Sequence, residues 1–369
     1  MSRAVVLGAG VVGRAAAWDL ARRGHDVTVA DADAEVAAGV AGEFGLAPAA
    51  LDVRDTAAVE SLLASAEVVV SAVPYRFGAD LAAAAVRTRT HYCDFGGNPG
   101  VVRRQLELDD RARVAGVSIV PDCGLAPGLA NVLAVADVEA VGPGPVDRVI
   151  LRVGALPAEP RGTLGYQLAF NPEGLLNEYD EPCDVLVDGR PAEVEPLTGF
   201  ETVEIPGHGV FEAFHTAGGS SSLPRRFAGR VHDLDYKTLR HPGHGRVFAA
   251  LRELGMFSRT PDASTGVAPR AALISALEAS LPSGEPDVVY VLTEAARGEH
   301  RHRHVIVDTH DGEFSALART TAFPATTLAD RMVGGHVAAG VTTMDGAIGA
   351  GDLLDALADV GIVASVSAP

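Results

Sequence analysis

The chain has 369 residues, 47% of them hydrophobic and 21% charged, and a formal net charge of −18 at pH 7. That length accommodates two domains with cores of their own, and the composition is that of a globular protein. The acidic balance excludes a nucleic-acid partner, which needs a basic face, and no apolar run reaches the ~18–20 residues that span a bilayer, so no membrane partner is expected. A cationic substrate suits the charge, although solubility explains it equally well. The N-terminus enters a strand at once, without the pattern of a signal peptide. Cys93, Cys123 and Cys183 are an odd set without metal-ligand spacing, read as reduced thiols in a cytoplasmic protein.

The first element carries the strongest motif. The apolar run Ala4–Leu7 leads into Gly8-Ala9-Gly10-Val11-Val12-Gly13, a G-x-G-x-x-G. In that pattern Gly8 permits a tight strand-to-helix turn, Gly10 lets the backbone approach a pyrophosphate, and Gly13 lets helix and strand pack closely. An alanine-rich helical pattern over Val11–Arg23 follows, its first N–H groups and positive dipole end facing the phosphates. A second run, Asp26–Ala30, ends in Asp31, with Asp33 close by and no compensating Arg. A carboxylate there accepts hydrogen bonds from ribose hydroxyls and repels a 2′-phosphate. The cofactor expected is NAD in preference to NADP, held by Gly8, Gly10, Val11, Val12, Gly13 and Asp31.

Further strand-like runs end near Asp52 and lie at Val68–Ser71, Tyr92–Phe95 and Val117–Pro121. Helical patterns alternate with them at Ala34–Phe44, Thr56–Ala64, Gly78–Thr88 and Val101–Val114. Strands alternating with helices imply a doubly wound parallel sheet, here a Rossmann domain over residues 1–122. Ligands bind such sheets beyond the carboxyl ends of the strands, which adds Asp52, Val53, Val73, Pro74 and Asp122 to the cofactor-binding set. Asp94 and Cys123 end neighbouring strands where the nicotinamide should lie. Asp94 can hold a substrate ammonium, or take its proton if burial raises its pKa; a cap or turn acid is the plainer reading. Cys123 can line the nicotinamide pocket, and a buried thiol is the plainer reading.

Gly and Pro around residues 141–145 mark a change of character. From Arg148 short alternating runs dominate, at Val149–Gly154, Cys183–Val187, Thr202–Ile205, Arg230–Tyr236, Val288–Arg297 and His304–Thr309. They imply a second, α+β domain with a mainly antiparallel sheet over residues 123–325, serving substrate binding or oligomerisation. Helical patterns return at Thr326–Val333 and Ala350–Ala358, and this tail (about 326–369) is expected to pack back on the nucleotide domain. His300, His302 and His304 share one face of any strand. With Arg301 and Arg303 between them and no nearby Cys or acid ligand set, a solvated strand edge is expected, and no metal. The run Gly218-Gly219-Ser220-Ser221-Ser222 lacks the Lys and the following helix of a phosphate cradle and reads as a mobile loop.

Several stretches together resemble the saccharopine dehydrogenase-like family, most closely its lysine 6-dehydrogenase (lysine ε-dehydrogenase) branch. They are His91 to Asn98, Val120 to Asn131 (V-P-D-C-G-L-A-P-G-L-A-N), Gly154 to Pro157, Gly174 to Tyr179, Phe211 to Thr216, Lys237 to His244 (K-T-L-R-H-P-G-H) and Thr321 to Ala325. The chain departs from the family at His241, where an aromatic Tyr is usual, and at Met344-Asp345, where a P-E pair is common. The resemblance implies an NAD(P)-dependent dehydrogenase acting on amino-acid C–N bonds, with a Rossmann domain, a mixed second domain and a dimeric assembly. Oxidising an amine requires a deprotonated nitrogen, a C–H bond aimed at the nicotinamide and a firmly held remote carboxylate. Arg240 is expected to grip that carboxylate with two parallel hydrogen bonds, which Lys237 cannot reproduce. The flanking His241 and His244 can accept the amine proton or be loop histidines satisfied by backbone. Tyr166, Phe170, Asn177, Phe214 and Thr216 lie in segments that match the family and can wall the substrate cavity, though core packing explains the aromatics as well.

The expected function is NAD-dependent oxidative deamination of L-lysine at Cε, with Asp94 or a histidine of the 241–244 segment as base. The alternative is an opine-type reductase condensing an amine with a keto or aldehyde acid. That enzyme needs a second buried anion site, for which Arg225 and Arg226 are candidates. A minor alternative is a non-catalytic NAD-sensing protein.

Overall fold

The structure is a computed structural model describing residues 1–367. Two compact units divide the chain, the first formed by Met1–Ala136 with Ala318–Val363 and the second by Asp137–Leu317 with the residues from Ala364 on.

In the first unit β1 (Arg3–Leu7), β2 (Asp26–Asp31), β3 (Ala47–Ala50), β4 (Val68–Ser71), β5 (His91–Asp94) and β6 (Ser118–Val120) form one parallel sheet with the short strand Gly340–Val341. The seven strands run in the order Gly340–Val341, β6, β5, β4, β1, β2, β3. Residues Ala4–Leu7 of β1 and Val68–Val70 of β4 are all at most 2% exposed, as expected where helices cover both faces of a parallel sheet. One expected helix is two: Pro99–Leu106, capped by the Asn98 side chain, and Asp109–Ala115, with Leu108 of the junction buried in the core. The last long helix runs over Ala316–Val333 with Pro324 inside it. It starts well before the expected Thr326, because a proline reads as a helix boundary while tertiary packing tolerates its missing N–H.

The second unit holds β7 (Val146–Pro157), β8 (Cys183–Val187), β9 (Arg190–Val194), β10 (Glu201–Ile205), β11 (Gly209–His215), β12 (Val231–Arg240), β13 (Asp287–Arg297) and β14 (His300–Thr309). The main sheet runs β10, β11, β12, β7, β13, β14 and then Ala364–Ser367, with the β8–β9 hairpin attached to β12. All its pairs are antiparallel except β7 with β12, which is parallel. Alternation along the strands sorts side chains onto two faces. On one, Phe211, Ala213 and Leu239 pack with Leu156, Ile205 and Tyr290. On the other, Phe214 packs with Tyr166, Leu175, Leu176, Tyr179 and Phe248, and Tyr236, Thr238 and Arg240 share that face. Register pairs Phe214 with Thr238 and Glu212 with Arg240.

Two expectations for this unit need correction. The run 218–222 is a packed loop: Gly219 lies so close to Tyr236 that an added Cβ would come within 2.3 Å of its ring, and Ser220 Oγ donates to Asp184 O at 2.9 Å. The histidine face of β14 is not a solvated edge either, since His304 is 5% exposed and His302 is partly buried. No helix among the described residues is long and apolar enough to cross a membrane.

Candidate functional site

The glycine motif of the first unit has the geometry of a nucleotide cradle. Gly8 has φ +96°, and a Cβ there would lie 2.8 Å from Ala72 O, while a Cβ on Gly13 would lie 1.9 Å from Gly8 O. Those two positions are closed to side chains by packing. Gly10, the N-cap of the helix Val11–Arg22, faces open space with nothing within 4 Å of a built Cβ, and Val11 beside it is 63% exposed. A helix N-terminus with bare backbone and no acid in its first turn fits a pyrophosphate. Asp31 is set at this turn: its Oδ2 accepts from Ala9 N at 2.8 Å and its Oδ1 from Asp33 N at 3.0 Å. Val73 abuts Gly8, which brings the Val73-Pro74 loop to the same cradle. Asp52 is held by its own neighbour, Arg54, and this exposed pair lowers its carboxyl to about 2. Val53 follows it at the end of the sheet.

Asp94 and Cys123 prove to be structural. Asp94 Oδ2 accepts from Tyr92 Oη at 2.9 Å and Gln105 Nε2 at 2.6 Å, and Oδ1 accepts from Gly96 N at 2.9 Å and Asp122 N at 3.3 Å. Burial pushes its carboxyl up while these donors pull it down. A carboxylate has about four lone-pair positions, so no oxygen is left for a substrate ammonium; Asp94 instead ties together the loops after β5 and β6. Asp122 helps, accepting from Gly97 N at 3.4 Å. Cys123 is fully buried, its thiol donates to Val120 O at 3.2 Å, and burial with neighbouring acids holds it protonated.

The second unit contains a charged site of a different kind. Arg240 is 4% exposed. Its Nε donates to Tyr179 Oη at 2.9 Å and Nη1 to Leu239 O at 2.9 Å, and its guanidinium lies 5.1 Å from the centre of the Tyr166 ring. Nη2 has no protein partner and is not sealed from solvent, and among the described residues no carboxylate lies within ion-pairing distance. Glu178 is near enough for its charge to interact with the guanidinium. Burial pushes its carboxyl up to about 7 against the pull of Arg240, yet it keeps partial exposure and its carboxylate has no hydrogen-bond or ion-pair partner among the described residues. Tyr236 and Tyr166 flank it, each phenol pushed up to about 12 by burial, and Thr216 and Thr238 join their hydroxyls at 2.7 Å.

The helix Pro172–Glu178, started by Asn171 capping Glu173 N with Pro172 at its first turn, delivers Glu178. Arg240 is the last residue of β12. His244 supports the arginine through Tyr179. Its Nδ1 donates to Leu164 O at 3.2 Å and its Nε2 accepts from Tyr179 Oη at 2.9 Å. Burial and Arg240 lower it to about 3, so it is a neutral anchor at the end of the relay Arg240–Tyr179–His244. His241 lies with its ring on Phe211, at the other face of the sheet from Arg240. Burial lowers its pKa too, and its Nε2 has no partner.

Tyr166 and Phe214 stand beside Arg240 and Tyr179, both buried in the core cluster on that face. Asn177 turns away, its Oδ1 accepting from Arg259 at 2.8 Å and Arg270 at 2.6 Å. Phe170 is 37% exposed and rests on Gly174. Arg225 and Arg226 are exposed, so neither supplies a second buried anion site. A surface pocket of about 640 Å³ lies elsewhere in the unit, around Asp180, Arg252 and Arg259, but those arginines already pair with Asp180, Glu195 and Glu173. Arg240 and Glu178 have no ion-pair partner among the described residues.

Comparison with known proteins agrees with this architecture. Residues 4–120 match the family model described as saccharopine dehydrogenase NADP binding domain, and residues 124–362 the saccharopine dehydrogenase C-terminal domain. A saccharopine dehydrogenase (NADP(+), L-glutamate-forming) of Pyricularia oryzae is 27% identical over 263 residues, covering 69% of this chain and 58% of that protein. The enzyme of the same name from Saccharomyces cerevisiae is 28% identical over 191 residues, 50% of this chain and 42% of that one. The mitochondrial alpha-aminoadipic semialdehyde synthase of Mus musculus is 24% identical over 228 residues, 59% and 24% of the two chains. The chain spans about half the length of the curated saccharopine dehydrogenases it matches. Among solved structures, apo histidine-tagged saccharopine dehydrogenase (L-Glu forming) from Saccharomyces cerevisiae superposes with a TM-score of 0.82 at 19% identity over 100% of both chains, which shows the fold. With a nucleotide-binding first domain and a matching second domain, the chain belongs to the saccharopine dehydrogenase family.

Proposed function

We propose that the protein is an NAD-dependent dehydrogenase oxidising the terminal amine of an amino acid that carries a single carboxylate, with L-lysine as the substrate. The observation that carries this reading is the pair Arg240, buried, and Glu178, partly buried, opposite charges that interact with each other and have no ion-pair partner among the described residues. Burying an unpaired guanidinium costs several kcal/mol, and a bound carboxylate offsets that cost with charge-assisted hydrogen bonds at Nη2. Glu178, held at about 7 by its burial, is poised near neutrality to accept a proton from a substrate ammonium. The Arg240–Tyr179–His244 relay fixes the guanidinium. NAD, held by Gly8–Gly13 and Asp31, supplies the hydride acceptor when bound. Oxidation of the Cε–N bond to an imine and its hydrolysis give the semialdehyde and ammonia.

NAD is favoured over NADP by Asp31 and Asp33, whose charges would face a 2′-phosphate, although the family model and the fungal relatives carry NADP in their names. Those same names favour a second reading, in which the substrate is saccharopine. Its three carboxylates need more cationic groups than Arg240 alone supplies. Arg152, also buried, is closed off by Glu201 and Asp235; Arg270 is held by Glu173 and Asn177, its Nη1 without a hydrogen-bond partner and 3.8 Å from Asp180. The test is NADH formation with L-lysine, L-ornithine and saccharopine in turn, with ammonia measured in parallel. Turnover of lysine with ammonia release supports the first reading; turnover of saccharopine alone, releasing glutamate, replaces it with the second.

A further inference from the structure

We propose that Asp137, His302 and His304 form a binding site for a divalent transition-metal cation of the zinc type within the second unit. Asp137 lies in the last turn of the helix Leu129–Ala140 and is fully buried. His302 and His304 point from one face of β14, and both Nδ1 atoms approach the same Asp137 Oδ1, each at 2.7 Å. The other oxygen, Oδ2, accepts from Thr293 Oγ1 at 2.6 Å. All three potential ligand atoms lie within 4.8 Å of one another.

Two features of this cluster call for a cation. The carboxylate is sealed from water, and no Arg or Lys pairs with it among the described residues. It stands at a helix C-terminus, where the helix dipole adds negative potential. Two imidazole nitrogens and one carboxylate oxygen are a donor set suited to Zn²⁺, Ni²⁺ or Co²⁺, and the hydroxyl of Thr293 orients the carboxylate from behind, as partners of metal-bound carboxylates do. The His302 side chain keeps 18% of its surface exposed, which gives the ion a route in and a water its place as fourth ligand. On binding, the two rings change to the tautomer with the proton on Nε2, freeing both Nδ1 lone pairs. The exposed trio Asp188, His232 and Asp233 lacks these features, because water screens its charges.

The experiment uses the full chain without a histidine tag, stripped with chelator and titrated with Zn²⁺ by calorimetry and with Co²⁺ by visible absorption. One equivalent is expected, with the visible bands of a nitrogen- and oxygen-ligated Co²⁺ and a raised melting temperature. His302→Gln, at a partly exposed position, should abolish that equivalent while the circular dichroism spectrum is unchanged. Thr293→Val should weaken affinity about 10-fold or more, and His232→Gln should change nothing. Absence of a bound equivalent in the wild type, or its survival in both His302→Gln and His304→Gln, overturns the proposal and leaves the cluster as a hydrogen-bonded clip between helix and sheet.

Discussion

Replacing Glu178 by Gln separates the stability of the second unit from its chemistry. The carboxyl ionises at about 7 in the folded protein instead of 4.5, and a tenfold change in proton affinity corresponds to about 1.4 kcal/mol, so the folded state disfavours the charged form by about 3 kcal/mol. Because the folded pKa is raised, the stability linked to this proton is fully present below pH 4.5 and is lost as the pH rises through about 7. Gln keeps the shape and stays neutral. Glu178→Gln should therefore match the wild type near pH 4.5 and exceed it by up to about 3 kcal/mol at mildly alkaline pH, read by urea denaturation at both ends of the window. Activity should move the other way. If Glu178 is the base, kcat/KM of the wild type rises tenfold per pH unit up to about 7, and the variant loses about 10²–10⁴-fold together with that inflection. A variant that retains the inflection, or one with no gain in alkaline stability, refutes the argument.

Other consequences are as direct. Arg240→Ala should lower kcat/KM for the amino acid by the equivalent of about 2–5 kcal/mol with NAD affinity unchanged by calorimetry, and Arg240→Lys should recover little, since an ammonium cannot make paired hydrogen bonds. The wild type should prefer NAD to NADP in kcat/KM by about tenfold or more, a bias of ~1.4 kcal/mol or greater; the double change Asp31→Ser with Asp33→Arg should reverse it. His244→Gln should destabilise the protein by about 1–3 kcal/mol through its lost bonds to Tyr179 and Leu164. It should leave the inflection near 7 in place, whereas loss of that inflection would restore His244 as a base.

Much of the first unit is legible in the sequence because each of its features is local. A strand buried on both faces reads as an apolar run, and Gly8, Gly10 and Gly13 do their work within six residues of one another. Arg240 is visible only through the motif around it. Glu178 was missed although it lies in a segment that resembles the family, since nothing local separates it from the other acids of a chain with 48 Asp and Glu residues. Its meaning comes from the packing of the helix Pro172–Glu178 on the face of β12 that carries Arg240. His244 misled for the same reason: a histidine after Pro-Gly reads as a loop base, while the structure makes it the first residue of the helix His244–Glu253 and buries it completely. Asp137 lies 165 residues from His302 on a helix whose start is obscured by Pro127 and Gly128, so no reading of spacing along β14 could supply the acid.

The two arginines of the central strands differ in how their charges are met. Arg152 on β7 is 1% exposed, and Glu201 and Asp235 close around it, with Lys237 3.3 Å from Glu201 and 3.5 Å from Asp235. Burial raises the Asp235 carboxyl, but His215, Arg152 and Lys237 outweigh it and hold the group well below its usual range. That network is complete and has no valence left for a ligand. Arg240, on the opposite face of the same sheet, has one hydroxyl and one carbonyl as acceptors and no carboxylate. Removing one member of a closed buried network strands the others, at about 3–5 kcal/mol, whereas replacing an unpaired buried charge by an apolar chain removes a desolvation cost. Arg152→Met should therefore lower the denaturation midpoint sharply, and Arg240→Met should leave it unchanged or raise it while abolishing turnover. Equal destabilisation by both would mean that Arg240 is held for the fold, and the substrate carboxylate would need another partner.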